Sequence, residues 1–334
     1  MLEGMAKFDA KKLKTIGVYT SGGDAPGMNA AIRAVVRAGI SRGYEVTGIM
    51  QGYQGMLSGE IKPLNLSSMA NVIQRGGTVL KTGRCKEFLK PEGRKKAFEE
   101  LKKAKVDALI CIGGDGSFAG AHLLWKEFQM PVVGVPGTID NDIWGTDLTI
   151  GFDTAINTAL SAIDKIRDTA ASHDRLFLVE VMGRDSGFIA VDVGLAGGAE
   201  EIFIPEKETS VDEAIERIKQ GIERGKKSSI LVAAEGDKPG RAYDLAKAIQ
   251  QKSGYEAKVC ILGHIQRGGS PTAEDRILAS RLGAKAIEVL AQGECDIMVG
   301  MQKGKVESVD LEKAITNKKT VDEELIKLAH TLSS

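Results

Sequence analysis

The chain has 334 residues, 43% of them hydrophobic, enough for a sizeable core and long enough that two lobes are expected. Lys+Arg and Asp+Glu both number 45, so the formal net charge is zero. That balance argues against a nucleic-acid or membrane-surface protein, which usually carries a basic excess, and leaves anions to be held by local clusters.

In chain order, the opening MLEGMAKFDAKKLK lacks the apolar core of a signal peptide and reads as a short exposed extension. A strand is expected at Thr15–Tyr19, followed by Thr20-Ser21-Gly22-Gly23-Asp24-Ala25-Pro26-Gly27 and a helix over Asn29–Ser41 with Ile32, Val35, Val36 and Ile40 on one stripe. Glycines between a strand and a helix start let the backbone approach a phosphate, and the helix N–H groups favour an anion. A plain turn capped by Asp24 is the alternative. The loop is not of the Walker type, because no Gly-Lys-Ser/Thr follows.

A second strand, Val106–Ile112, runs into Gly113-Gly114-Asp115-Gly116-Ser117. A carboxylate among glycines can hold a Mg²⁺ that bridges nucleotide phosphates, although an aspartate turn bonding its own backbone has the same look. After the strand Val132–Val135 comes Pro136-Gly137-Thr138-Ile139-Asp140-Asn141-Asp142, the sharpest signal in the chain. Phosphoryl transfer to an alcohol needs a carboxylate to accept the hydroxyl proton, and Asp140 is the candidate base, with Thr138 positioning phosphate or sugar.

A helix is expected over Thr154–Ala170, then strands at Leu176–Val181 and Ser229–Ala234. Gly183-Arg184-Asp185 and Glu235-Gly236-Asp237 repeat the pattern of a strand end with glycine and an acid close by. In open α/β sheets ligands sit beyond the carboxyl ends of the strands. Arg84, Arg175, Arg184, His264 and Arg267 come singly in loops, a placement that suits a grip on phosphate oxygens, while any one alone reads as a solvated surface residue. Arg33 and Arg37 at i,i+4, with Arg224, Lys226 and Lys227 before a strand, form either a second anion site or solvated helix ends. The four cysteines show no metal-like spacing and fit a reduced cytosolic setting, and no apolar stretch approaches the roughly 20 residues of a membrane span.

TSGGDAPGMNAAIR, QRGGTVLKTGR, GGDGS, PGTIDND, SHDRLFLVEVMGR and LGHIQRGGSP, in this order and over nearly the whole chain, resemble the bacterial ATP-dependent 6-phosphofructokinases. The resemblance implies an α/β fold of two three-layer α/β/α lobes with mostly parallel sheets. Residues 1–150 plus 264–315 would form the larger, ATP-binding lobe. Residues 151–263 plus 316–334 would form the smaller lobe, which binds fructose 6-phosphate. It implies ATP contacts at Gly23, Arg84, Cys85, Gly114, Asp115, Gly116 and Ser117, with Mg²⁺ at Asp115. Thr138, Asp140, Arg184 and Arg84 would do the chemistry. Ile139, Met182, Gly183, Glu235, His264, Ile265, Gln266 and Arg267 would join Thr138, Asp140 and Arg184 around the sugar phosphate. Arg175 and Lys258 would reach it from a neighbouring subunit of a homotetramer.

Arg33, Arg37, Arg167, Gly198, Glu200, Arg224, Lys226, Lys227 and Ser228 resemble the family's ADP/phosphoenolpyruvate effector site, but Leu66 and Asn71 stand where relatives carry an arginine and an acid. Lys258 likewise replaces an arginine and lacks its planar fork. Glycine at both 116 and 137 resembles the relatives that use ATP; those that use pyrophosphate tend to have Asp and Lys there. A lipid or NAD kinase would share the GGDG loop without the TIDND, MGR and HIQRGG set. A non-catalytic nucleotide sensor would be expected to lack Asp115 or Asp140, and both are present. A cytoplasmic enzyme without nucleic-acid or membrane partners is the expectation.

Overall fold

The computed structural model describes residues 6–173, 175–207, 210–226, 228–237 and 239–333. In chain order the first elements are β1 (Ala6–Lys7), β2 (Thr15–Thr20), α1 (Met28–Ser41), β3 (Glu45–Ile49), α2 (Tyr53–Ser58) and β4 (Ile61–Leu64). They are followed by α3 (Pro91–Lys103), β5 (Ala108–Gly113), α4 (Asp115–Phe128), β6 (Val132–Pro136) and α5 (Phe152–His173). Then come β7 (Leu176–Val181), α6 (Phe188–Ala196), β8 (Glu201–Phe203), α7 (Val211–Glu223), β9 (Ser229–Ala234), α8 (Arg241–Ser253) and β10 (Ala257–Ile261). The last are α9 (Ala273–Ala291), β11 (Glu294–Cys295), β12 (Ile297–Gln302), β13 (Lys305–Asp310), α10 (Leu311–Thr316) and α11 (Glu323–Ser333).

Strand-forming runs in the middle of the sheets are apolar at almost every position, so neither face can be left to water. β2, β5 and β6 are buried along their whole length, as parallel strands covered by helices on both faces must be. They lie at the centre of a seven-stranded sheet of order β13-β12-β6-β5-β2-β3-β4. Its inner pairings are parallel and only the edge strands β4 and β13 run antiparallel. A second sheet, β10-β7-β9-β8, is wholly parallel. The α/β class with mostly parallel sheets is thus present in both. The N-terminal stretch adds a small pairing of its own, Ala6 with Cys295 and Lys7 with Glu294.

Two compact units result: Met1–Thr138 with Ile143–Asp153 and Arg267–Lys319, and Ile139–Asp142 with Thr154–Gln266 and Thr320–Ser334. The first core centres on Tyr19, Leu109, Cys111, Phe118 and Leu311, the second on Leu178, Phe203, Ile218, Leu231 and Ile249. The segment Ile139–Asp142 goes with the second unit, where the Ser186 hydroxyl donates to the Asp140 carbonyl at 3.1 Å.

Helix ends follow local chemistry. Ser210 caps α7 by accepting from the Asp212 amide, Thr272 caps α9 through the Asp275 amide, and Pro91 opens α3 where no N–H is needed. In the first unit α9 packs on α1 with almost no gap: a Cβ on Gly283 would meet the Ala31 carbonyl and the Ala34 Cβ, each at 2.8 Å. Gly283→Leu is therefore expected to destabilise by about 2–3 kcal/mol through overpacking against backbone that cannot retreat. A urea titration would read this as a lower midpoint, and an unchanged midpoint would contradict the packing argument.

Candidate active site

In the first unit, the chemistry begins where β2 and β5 end side by side. Thr20 pairs with Ile112, and the Ser21 amide donates to the Ile112 carbonyl at 3.1 Å. A Cβ on Gly113 would lie 2.6 Å from both the Ser21 carbonyl and the Ser117 hydroxyl. Only glycine fits there, so the SGGD and GGDG loops are held backbone to backbone. Gly114 is the N-cap of α4, and Asp115, Gly116 and Ser117 form its first turn, at the end of the helix that carries partial positive charge; the Ser117 amide donates to the Gly114 carbonyl at 2.9 Å. A Cβ on Gly116 would meet nothing within 4 Å.

Gly137 behaves differently. Its amide donates to the Gly113 carbonyl at 3.0 Å, and a Cβ there would press on Ile112 at 3.0 Å and Met28 at 3.3 Å. A side chain at 137 would displace packed apolar groups, whereas one at 116 would enter open space beside the loop. Thr138 lies next to Gly114, 3.8 Å from where its Cβ would be, and its carbonyl accepts from the Thr149 hydroxyl at 2.7 Å.

The loop carrying Arg84 and Cys85 is stitched to the same place by Thr20, Thr82 and Asn29, none of which the sequence marks as a site residue. Thr20 donates its hydroxyl to the Lys81 carbonyl at 2.8 Å, and Thr82 donates to the Gly22 carbonyl at 2.7 Å. Asn29, buried on α1, donates to the Arg75 and Gly76 carbonyls and accepts from the Val79 amide at 2.7 Å. The one legible signal was a polar residue on the apolar face of that helix. Cys85 packs partly on the core beneath.

Beneath α4 lies a buried phenol pair. The Tyr19 hydroxyl donates to Tyr53 at 3.0 Å, and the Tyr53 hydroxyl donates to the Ser117 carbonyl. Burial raises both tyrosines well above their ordinary range, and burial first of all pushes the Cys111 thiol beside them to about 12. All three keep their protons at neutral pH, so Tyr53 stays a donor to the loop. Arg267 also belongs to this unit. Its Nη1 donates to the Asp24 carbonyl at 3.2 Å and lies 2.4 Å from where a Cβ on Gly23 would stand. Ser270, in the same loop, donates to the Gln74 carbonyl at 2.7 Å.

In the second unit, β7, β9 and β10 end together: Val181 pairs with Ala234 and Glu180 with Ile261. Met182-Gly183-Arg184, Glu235 and His264-Ile265-Gln266 follow those strand ends, so the structure brings them to one edge of the sheet. Gly183 (φ 136°) and Arg184 (φ 52°) turn sharply, and a Cβ on Gly183 would meet the Ser186 carbonyl at 2.5 Å. Ser186 in turn holds the backbone of Asp140, a residue only 7% exposed, while Ile139 is fully buried.

Arg175 and Lys258 are not at that edge. They lie at the amino ends of β7 and β10, with Lys258 paired to Glu256 at 2.5 Å, around a cleft of about 460 Å³ that also includes Leu176, Ile222 and Tyr255. Glu200 bonds Lys226 and accepts from the Ile230 amide at 2.5 Å; Arg167 binds the carbonyls of Gly197 and Gly198. Arg224 and Glu200 share a cavity of about 230 Å³ with Arg217 and His330. Ser228 precedes β9, Arg33 and Arg37 are on α1 of the first unit, and Lys227 lies outside the described residues.

A family model described as Phosphofructokinase matches residues 15–290. The chain is 58% identical over 321 residues to an ATP-dependent 6-phosphofructokinase of Thermus thermophilus, covering 96% of this chain and all of that one. It is 53% identical over 322 residues to a Bacteroides thetaiotaomicron protein named ATP-dependent 6-phosphofructokinase 2, covering 96% and 99%. Among solved structures, phosphofructokinase from Saccharomyces cerevisiae superposes with a TM-score of 0.86 at 36% identity; 96% of this chain is covered, which spans about half (48%) of the yeast chain. Paired glycine loops in one unit, clustered strand ends in the other, and near full-length likeness converge: the chain belongs to the phosphofructokinase family.

Proposed function

We propose that this chain is an ATP-dependent 6-phosphofructokinase, which moves the γ-phosphoryl group of ATP to the 1-hydroxyl of fructose 6-phosphate. The observation that carries the reading is the backbone-to-backbone seating of the SGGD and GGDG loops, with open space at Gly116 and Asp115 in the first helical turn. Amide groups of that turn would receive nucleotide phosphates, and Tyr53 would keep the Ser117 end of it in place.

A Mg²⁺ requirement fits these residues. Asp115 offers a hard oxygen donor, and among the described residues no cluster of three or more His, Cys, Asp or Glu could hold a metal alone. That donor set suits a cation shared with nucleotide phosphates, which would neutralise charge on them.

Asp140 accepts the proton as the sugar O1–H bond breaks, O1 bonds to the γ-phosphorus, and the bond to the β-phosphate oxygen breaks to release ADP. Thr138 orients the reacting groups, and Arg84 and Arg184 stabilise charge on the transferring phosphoryl group. Met182, Gly183, Glu235, His264 and Arg267 hold the sugar phosphate, supported by Ile139, Ile265 and Gln266. Arg175 and Lys258, standing at the far end of their sheet, serve the 6-phosphate of a neighbouring subunit in a homotetramer. The first unit takes ATP and the second the sugar. Glu200, Arg224, Lys226, Ser228 and Arg167 with Gly198 form part of an ADP/phosphoenolpyruvate site; Arg33 and Arg37 are assigned to the same ligands by the family resemblance, and Lys227 lies outside the described residues. No helix among the described residues is long and apolar enough to cross a membrane, in keeping with a cytoplasmic enzyme.

Steady-state ADP formation with Mg-ATP and fructose 6-phosphate tests the reading, and Asp140→Asn is expected to lower kcat by about a hundredfold or more. A variant as fast as the wild type would remove Asp140 from the chemistry. Gly116→Asp fills the open side of the loop with a carboxylate that repels nucleotide phosphates. It is expected to raise the KM for ATP by about tenfold or more, while pyrophosphate turnover by the wild type would refute the donor assignment outright. Tyr53→Phe should raise the KM for ATP about threefold to tenfold with the KM for the sugar unmoved, as loss of one buried hydrogen bond to the loop predicts.

A further inference from the structure

The apolar run of β7, Leu-Phe-Leu-Val-Glu-Val, contains one acid, Glu180, and it is only 1% exposed. A buried carboxylate is costly unless its oxygens are satisfied. One oxygen of Glu180 accepts from the Gly240 amide and the other from the Ala242 amide, both at 2.8 Å. Those amides belong to the N-cap and the first turn of α8, a helix start that has no side-chain cap of its own. Glu180 supplies from a neighbouring strand what a serine or aspartate usually supplies locally, and the partial positive charge of the helix start offsets its own.

The same residue is joined through its backbone to the other strand ends. Its carbonyl accepts from the Leu262 amide at 3.0 Å, just before Gly263 and His264, and the next carbonyl, of Val181, accepts from the Glu235 amide at 2.9 Å. Met182-Gly183-Arg184 follows Val181 directly. The roots of three segments therefore meet at one buried side chain and its adjacent peptide groups.

We propose that Glu180 is a positioning residue for the sugar phosphate: by clamping the start of α8 to β7 it fixes Glu235, Met182–Arg184 and His264–Gln266 relative to one another. The inference rests on the sugar-phosphate kinase reading above. It requires two acceptor oxygens, which an amide cannot offer, because its NH₂ group would face one of the two N–H donors.

The test uses full-length wild type, Glu180→Gln, Glu180→Asp and, as a control for plain loss of a helix cap in the same unit, Ser210→Ala. Glu180→Gln is expected to raise the KM for fructose 6-phosphate about tenfold, with the KM for Mg-ATP within about twofold, as loss of one charge-assisted hydrogen bond would do. Amide hydrogen exchange should quicken at 182–186 and 262–266 as well as at 240–242. Glu180→Asp, which keeps both acceptors on a shorter arm, should fall between the two and serves in place of the glutamine variant if that one does not fold. Ser210→Ala should lower stability and leave both KM values alone. The proposal is overturned if Glu180→Gln resembles Ser210→Ala, if both KM values rise together, or if faster exchange stays confined to the start of α8. A wild type inactive on fructose 6-phosphate would refute the assigned activity instead, and the exchange pattern would then decide the role of Glu180 by itself.

Discussion

There is no room for a single carbon between Gly113 and Ser21, and much of the first unit is arranged around that fact. Two parallel strands in register carry their loops outward together, and the contact between the loops is main chain against main chain. Because nothing projects from Gly113, the Ser21 carbonyl and the Ser117 hydroxyl can both lie against it. Thr20, Thr82 and Asn29 then draw a third loop, the one bearing Arg84, onto the same spot through hydrogen bonds to backbone carbonyls. The side chains with chemistry to perform are few, and the side chains that hold them still are many.

The second unit solves its problem in another way. Its strand ends are joined by main-chain hydrogen bonds, a buried carboxylate on β7 holds the start of α8, and the chain turns sharply at Gly183 and Arg184, with Ser186 reaching the backbone of Asp140. Phosphoryl transfer asks a protein chiefly for positioning and countercharge, and little for covalent participation. Hydrogen bonds between loops and rigid strands are well suited to that demand, since they fix relative placement without adding bulk near a charged ligand.

Much of this was legible in the sequence, for identifiable reasons. Apolar runs announce buried parallel strands, and the expected Leu176–Val181 and Ser229–Ala234 match the observed β7 and β9. The strand expected from Val106 begins at Ala108; just before it, the Asp107 carboxylate accepts from the Lys14 and Thr15 amides. The sequence reading leaves out β3, β8, β12 and β13 as well as the edge strands β4 and β10; in the last two, Ile61–Leu64 holds a proline and a lysine and Ala257–Ile261 is only partly buried, so neither shows the continuous apolar signal. The glycine and acid motifs were visible because they are contiguous. Tyr53 beneath Ser117 leaves no local pattern, because it is separated in sequence from the backbone it holds, and Asn29 beside Val79 shows itself only as a polar residue on the apolar face of α1. The opposite-end placement of Arg175 and Lys258 is likewise a property of strand direction, which residue types alone do not encode.

The route of the chain through the large sheet has a consequence for its birth on the ribosome. β6 is made early, but its outer neighbour β12 begins at Ile297, after the whole of α5 to α9 has been synthesised. Until then the side of β6 that takes β12, at Val133 and Gly134, has no strand beside it, and an open apolar strand edge is a template for mispairing. The large sheet is therefore closed late, when β12 is laid beside β6 and β13 beside β12.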